Sequence, residues 1–148
     1  MANDNRDTAE HGPKMRILVY SSDASAREQV RLAIGRRPAA DVPKVEIIEC
    51  ATSPVALKHL EDSGIDVAIL DGEAAPVGGM GLCRQIKDEI YQSPPVLVLI
   101  GRRDDGWLAA WSRADKAVSH PIDPVALAES LAELMRERAS RLTAHQGR

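Results

Sequence analysis

The chain has 148 residues, 44% of them hydrophobic, which is enough for one domain with a real core and too little for two. Its formal net charge of −3 argues against a nucleic-acid surface or an anionic membrane as the main partner. Cys50 and Cys83 lack the spacing of a metal site or a redox pair, and no apolar run approaches the ~18 residues that a membrane span needs.

Residues 1–14 are polar and mixed in charge, with no apolar h-region, so a disordered tail on a cytoplasmic protein is expected there. Phenylalanine is absent, which leaves the core to Val, Ile, Leu and Ala. A first strand is predicted over Arg16–Tyr20. A helix follows over Ala24–Ile34, with Asp23 or Ser22 as its N-cap and Gly35 as its stop. Beyond a connector containing two prolines, Val45–Cys50 mixes apolar residues with Glu46 and Glu49, as an edge strand does. Ser53-Pro54 opens a second helix, which runs through Leu57 and Leu60 to Gly64.

Val67-Ala68-Ile69-Leu70 is a continuous apolar run, the pattern of a strand buried on both faces in a parallel sheet. It leads straight into Asp71-Gly72-Glu73, which falls at the carboxyl end, where open α/β sheets place their binding crevice. A glycine-rich loop, Gly72 to Gly81, precedes a helix over about Leu82–Ile90, ended by Ser93-Pro94-Pro95. Val96–Ile100 is the most apolar segment and is predicted to be a central strand. A short helix over Asp105–Arg113, a fifth strand over Lys116–Ser119 and the His120-Pro121 step come next. Asp123-Pro124 caps a last helix that carries Leu127, Leu131, Leu134 and Met135 on one face. Residues 139–148 are polar and are expected to fray, and no effector domain is expected after them. Strands alternating with helices through short connections predict a doubly wound parallel sheet, one domain over residues 15–138.

If the first and third strands are neighbours, Asp71 faces Ser21-Ser22-Asp23 across one small pocket. Three serines, Ser21, Ser22 and Ser25, also cluster at a helix N-terminus, a place that favours anions. Trp107 and Trp111, spaced i, i+4 on the fourth helix, share one face of it. With Arg102, Arg103 and Arg113 beside them they offer a candidate partner surface, since Trp and Arg dominate interface hot spots.

Over roughly Arg16 to Glu137 the chain resembles a response-regulator receiver domain. The resemblance rests on the Ile17–Tyr20 strand, Asp71 after its apolar run, the Gly79-Met80-Gly81-Leu82 turn, the apolar fourth strand and His120-Pro121. It implies a flavodoxin-like sheet of order 2-1-3-4-5 with the site between strands one and three, and a His120-Pro121 bond that is cis. In that family an aspartate accepts a phosphoryl group from a histidine kinase with Mg²⁺ assisting, and Asp71 matches the acceptor. The other positions depart from the family. The acidic pair after the first strand falls on Ser21 and Ser22, leaving Asp23 and Asp71 as weak Mg²⁺ candidates. The Ser/Thr ending the fourth strand falls on Ile100, the lysine ending the fifth on His120, and the switch aromatic on Ala117. Pro76 in the loop stands one place later than usual.

The expectation is therefore a degenerate receiver, a phosphorylation-independent interaction module rather than an enzyme, with no cofactor. Its pocket would comprise Ser21, Ser22, Asp23, Glu73, Ile100 and His120, and its partner surface Trp107, Trp111 and Arg103. A histidine close to an aspartate makes a pH-sensitive pair where lysine would make a permanent one. Two alternatives stay open: a phosphoacceptor using Asp71 with Mg²⁺, and a flavin or nucleotide binder using the serine cluster. The segments Gly72-Glu73-Ala74-Ala75-Pro76, Gly106–Arg113 and Ser119–Pro124 further resemble actinobacterial orphan receivers associated with respiratory complex I. That implies a protein partner in its peripheral arm and an accessory role in NADH–quinone oxidoreductase, with neither nucleic acid nor membrane insertion involved.

Overall fold

The computed structural model describes residues 13–62, 64–102 and 105–146. Five strands, β1 (Met15–Tyr20), β2 (Val45–Cys50), β3 (Val67–Asp71), β4 (Val96–Ile100) and β5 (Lys116–Ser119), alternate with five helices. The helices are α1 (Ala24–Ile34), α2 (Ser53–Glu61), α3 (Gly79–Glu89), α4 (Gly106–Ser112) and α5 (Pro124–Gln146). All strand pairs are parallel and the order is β2-β1-β3-β4-β5. This is the doubly wound, flavodoxin-like sheet that the sequence predicts.

β3 and β4 are buried along their whole length, so helices must cover both faces of the sheet. Strand alternation sorts the core into two layers. Ile17, Val19, Val67, Ile69, Leu97 and Leu99 meet α1 and α5 through Val30, Ile34, Leu127, Leu131, Leu134 and Met135. Leu18, Tyr20, Ala68, Leu70, Val96, Val98 and Ile100 face α2, α3 and α4, among them Leu60, Leu82, Ile86 and Ala109. Tyr20 is the largest fully buried side chain, an aromatic in a core predicted to be aliphatic.

Several boundaries shift for local reasons. Asp23 is the N-cap of α1, its Oδ1 accepting from the Ser25 N–H at 2.9 Å, and Gly35 at φ 62° closes the helix. The cap of α2 is Thr52, one residue before the expected Ser53, and the helix stops at Glu61 rather than Gly64. α3 begins at Gly79, three residues before the expected Leu82. A Cβ on Gly79 would lie 2.6 Å from the Asp71 carbonyl oxygen, so this glycine lets the helix start directly on the end of β3. α5 runs on to Gln146, where fraying after Arg138 is expected from the polar composition. Arg138 Nε reaches Asp66 at 3.4 Å, anchoring the helix where fraying is expected to begin, and the Thr143 hydroxyl donates to the Ala139 carbonyl at 2.9 Å within the helix. The expected tail 1–14 lies outside the described residues up to residue 12, as do Arg103 and residues 147 and 148. Among the described residues no helix is long and apolar enough to cross a membrane.

Two outcomes follow from this packing. Leu131 is fully buried, so Leu131→Ala is expected to cost about 2–5 kcal/mol in urea unfolding. Leu142→Ala, on the exposed end of α5, should change stability by less than about 0.5 kcal/mol. Burial also pushes both cysteine thiols up to about 11, Cys50 against an opposing pull from Arg27. The thiolate is the reactive form, so Ellman's reagent at pH 8 should label neither cysteine in the folded protein and both in denaturant.

Candidate functional site

Asp71 is the last residue of β3 and shares the face of Val67 and Ile69, so its carboxylate emerges at the carboxyl edge between β1 and β4. It is 3% exposed, and a carboxylate buried this deeply needs its oxygens bonded. The Ser21 hydroxyl donates to Asp71 Oδ2 at 2.7 Å, and the Glu73 N–H donates to Oδ1 at 2.9 Å. His120 Nε2 stands 3.4 Å from the same Oδ1. Ser21 Oγ in turn accepts from the Asp23 N–H at 3.0 Å, so the hydroxyl is used in both directions. Among the described residues every buried side-chain nitrogen and oxygen has a partner.

The surrounding loops are stitched to this centre. Ser22 Oγ accepts from the Ala75 N–H at 3.0 Å, joining the loop after β1 to the loop after β3. Tyr20 donates its hydroxyl to the Val77 carbonyl at 2.6 Å, and burial together with the charge of Asp71 raises its pKa. Arg27 bonds the Ser21 carbonyl at 2.6 Å and Glu49 at 3.1 Å, clamping the ends of β1 and β2 together. His120 donates its backbone N–H to the Ile100 carbonyl at 2.8 Å, and the His120–Pro121 bond is cis. Ala75–Pro76 is cis as well.

An open cleft of about 370 Å³ lies over Asp71, lined by Asp23, Ala26, Asp71, Glu73, Gly101 and His120. The sequence alone does not point to Gly101 or Ala26. Gly101 matters because a Cβ there would fall 1.7 Å from Glu73 Oε1, so the glycine gives the Glu73 carboxylate its resting place. Ile100 does not belong to the pocket as expected. Asp71 is in register with Leu99, so Ile100 points to the opposite face and packs in the α3–α4 layer. Ser21 and Ser22 sit beneath and beside the cleft as bonding partners rather than on its walls. Asp23 turns one carboxylate oxygen to its own helix as the α1 cap while lining the cleft. No group of three or more His, Cys, Asp or Glu side chains among the described residues is arranged to hold a metal ion.

The tryptophans lie elsewhere, on α4. Trp107 is 68% exposed and Trp111 is 48% exposed, so neither packs on the sheet. The Arg84 guanidinium sits 4.8 Å from the Trp111 ring centre, and its Nη1 donates to the Trp111 carbonyl at 2.7 Å. Arg113 forms an ion pair with Asp88 on α3.

No protein-family model matches the chain. Among curated proteins it is 50% identical over 125 residues to an uncharacterized response regulatory protein found in two strains of Mycobacterium tuberculosis, covering 84% of this chain and 94% of that protein. Its fold is similar to a CheY-like receiver domain protein of Methanospirillum hungatei, with TM-score 0.67, 19% identity and coverage of 87% of this chain and 99% of the other. A Francisella response-regulator receiver domain aligns with TM-score 0.70 at 14% identity, covering 84% and 98%.

The bonding around Asp71 makes Ser21 the costly serine to lose. Ser21→Ala removes a donor from a buried carboxylate and should destabilise the fold by about 1–3 kcal/mol. Ser22→Ala, at an exposed loop, should cost less than about 0.5 kcal/mol. Chemical denaturation of the two variants measures the difference, and equal losses would contradict the assignment.

Proposed function

The chain belongs to the response-regulator family, and from that premise we propose that its receiver domain acts as a protein–protein interaction module that does not depend on phosphoryl transfer to Asp71. The observation that carries this is the set of neighbours around the Asp71 carboxylate, a hydroxyl, an amide and an imidazole in place of further acids and a lysine. Its oxygens are held by the Ser21 hydroxyl, the Glu73 N–H and the His120 ring. Phosphoryl transfer is driven by cations and fixed donors that neutralise developing charge. At the positions where the family carries two acids and a lysine, this chain carries Ser21, Ser22 and His120.

The residues present also suit Mg²⁺ poorly. Mg²⁺ is held by one or two carboxylates in near-octahedral geometry, yet one oxygen of Asp23 already caps α1 and the Ser21 hydroxyl is turned to Asp71. Ile100, in the α3–α4 core, cannot hydrogen-bond a phosphoryl oxygen. What supports an outward role is α4, which exposes two tryptophans, one of them, Trp111, stacked against Arg84. The resemblance of the Gly72–Pro76, Gly106–Arg113 and Ser119–Pro124 segments to complex I-associated orphan receivers puts the peripheral arm of NADH–quinone oxidoreductase first among partners to test. A cytoplasmic, non-enzymatic accessory subunit is the role that this implies.

The test uses purified complex I from the native organism and the full chain. Asp71→Asn should bind as wild type does, whereas Trp107→Ala with Trp111→Ala should lose about 2 kcal/mol or more of affinity. Incubation with acetyl phosphate and Mg²⁺ should add no phosphoryl group by intact mass. A stoichiometric adduct on Asp71, or loss of binding in Asp71→Asn, overturns the proposal.

A further inference from the structure

The charges at the amino-terminal end of the sheet do not balance. β1 and β2 start side by side, where the Met15 N–H donates to the Lys44 carbonyl at 3.0 Å and the Val45 N–H donates to the Arg36 carbonyl at 2.9 Å. These bonds bring Lys14, Arg36 and Lys44 onto three adjoining stretches of chain, with Arg37 next to Arg36. Lys14, Arg36 and Arg37 are exposed and Lys44 is half-buried. Three acids belong to the same end, and each has an arginine. Asp41 is held by Arg136, Glu46 lies 3.9 Å from Arg16, and Asp66 lies 3.4 Å from Arg138. Among the described residues none of Lys14, Arg36, Arg37 and Lys44 pairs with a carboxylate. These four positive charges are left over on a chain whose formal net charge is −3.

Helix electrostatics does not account for them. The negative end of α1 is worth roughly half an elementary charge, and Arg31 already stands in its last turn. Val42 is buried in the α1–α5 layer, so the connector of residues 36–44 folds under that face of the sheet. α2, which ends at Glu61 and Asp62, packs on the other face. Asp41 and Glu46 are exposed among the cations. A phosphate backbone, with a charge about every 1.7 Å, would press against these two acids, and so would an anionic lipid surface. An extended peptide rises about 3.4 Å per residue, so acidic side chains on one of its faces stand roughly 7 Å apart and can meet cations while passing over acids. Arginine suits carboxylates through its planar fork, as Arg136 does here, bonding Asp41 through Nε at 2.7 Å and Nη2 at 2.8 Å.

We propose that this end of the sheet is a docking site for an acidic, extended segment of a partner protein, whose aspartates or glutamates meet Lys14, Arg36, Arg37 and Lys44. The site is separate from α4 and adds a second contact to the interaction-module role, on which it rests for the partner being a protein. Exposed ion pairs are individually weak and screened by salt, so this contact supplies selectivity and salt sensitivity beside a stronger anchor.

Fluorescence anisotropy of a labelled twelve-residue peptide alternating Glu with Ser, titrated with the full chain, tests this directly. Binding should weaken as salt rises and disappear when Gln replaces Glu in the peptide. It should fall about tenfold or more in Arg36→Glu with Arg37→Glu, and less in Arg36→Gln with Arg37→Gln. Arg37→Glu alone should cost more than Lys58→Glu, which reverses one exposed charge on α2. Equal binding of the Gln peptide, a Glu peptide indifferent to both double variants, or equal losses in the two single reversals would overturn the proposal. So would a twelve-nucleotide single strand that binds more tightly than the peptide and weakens in the same variants, since the occupant would then be a nucleic acid. The segment before Pro13 carries Asp4, Asp7 and Glu10. If replacing these three by their amides alters amide exchange over residues 36–44 with no peptide present, the site holds this chain's own segment and the proposal fails. Should the peptide fail while complex I still binds through Trp107 and Trp111, this contact falls and the interaction-module role stands.

Discussion

The hydrogen bond from the Ser21 hydroxyl to the buried Asp71 carboxylate is what the centre of this molecule is built on. It fixes β1 beside β3 at their carboxyl ends, and the same hydroxyl accepts from the Asp23 N–H, which sets the start of α1. A carboxylate in place of Ser21 would bring a second negative charge to a group already out of water. Such a pair needs a cation between its members or a raised pKa on one of them. Serine resolves the conflict without either, donating a proton where an acid would repel. Seen this way, the substitutions at Ser21, Ser22 and His120 form one change. With the acidic pair removed, a cation has less to neutralise, and a permanent lysine charge can give way to an imidazole.

Much of this was readable beforehand. The five strands, their alternation with amphipathic helices and the position of Asp71 after Val67–Leu70 all follow from periodicity, and in β3 and β4 burial on both faces leaves no polar residue until the strand ends. Gly35 as stop was readable from local chemistry alone, which narrowed the cap to Asp23 or Ser22 and no further. Ile100 was not. Its face depends on the register of β3 against β4, which sets Asp71 beside Leu99 and turns the next residue away. Only the pairing of distant segments decides that. Gly101 escaped for the same reason, since its value lies in the Glu73 carboxylate that folds over it from another loop. α5 runs on past Arg138, whose contact with Asp66, seventy-two positions away in sequence, composition does not reveal.

α4 shows how far a short element can depart from the usual rule for apolar residues. A seven-residue helix has few internal hydrogen bonds and is marginal alone. It keeps its place through Ala109 and Ser112, both buried, and through Arg84 of α3, which bonds its carboxyl end and stacks on Trp111. The small residues face inward and the large aromatics face out. That arrangement buries less apolar area than the sequence could offer, so folding stability alone does not account for it. Paired exposed aromatics beside a cation are what a recognition surface requires.

The proposed outward role and the bonding at Asp71 bear on each other through energetics rather than contact. A modification can shift a protein between two states only as far as it interacts differently with each. Here the residue best placed to sense a change at Asp71 from the α4 side is Ile100, and it is apolar, buried and packed among Leu82, Val98 and Ala109. The other link, His120, touches Asp71 with its ring and Ile100 only through the backbone. Ile100 offers no hydroxyl to reorient toward Asp71, which removes one route from that carboxylate to the α4 side. Exposure of Trp107 and Trp111 without any change at Asp71 is what the proposed constitutive role requires.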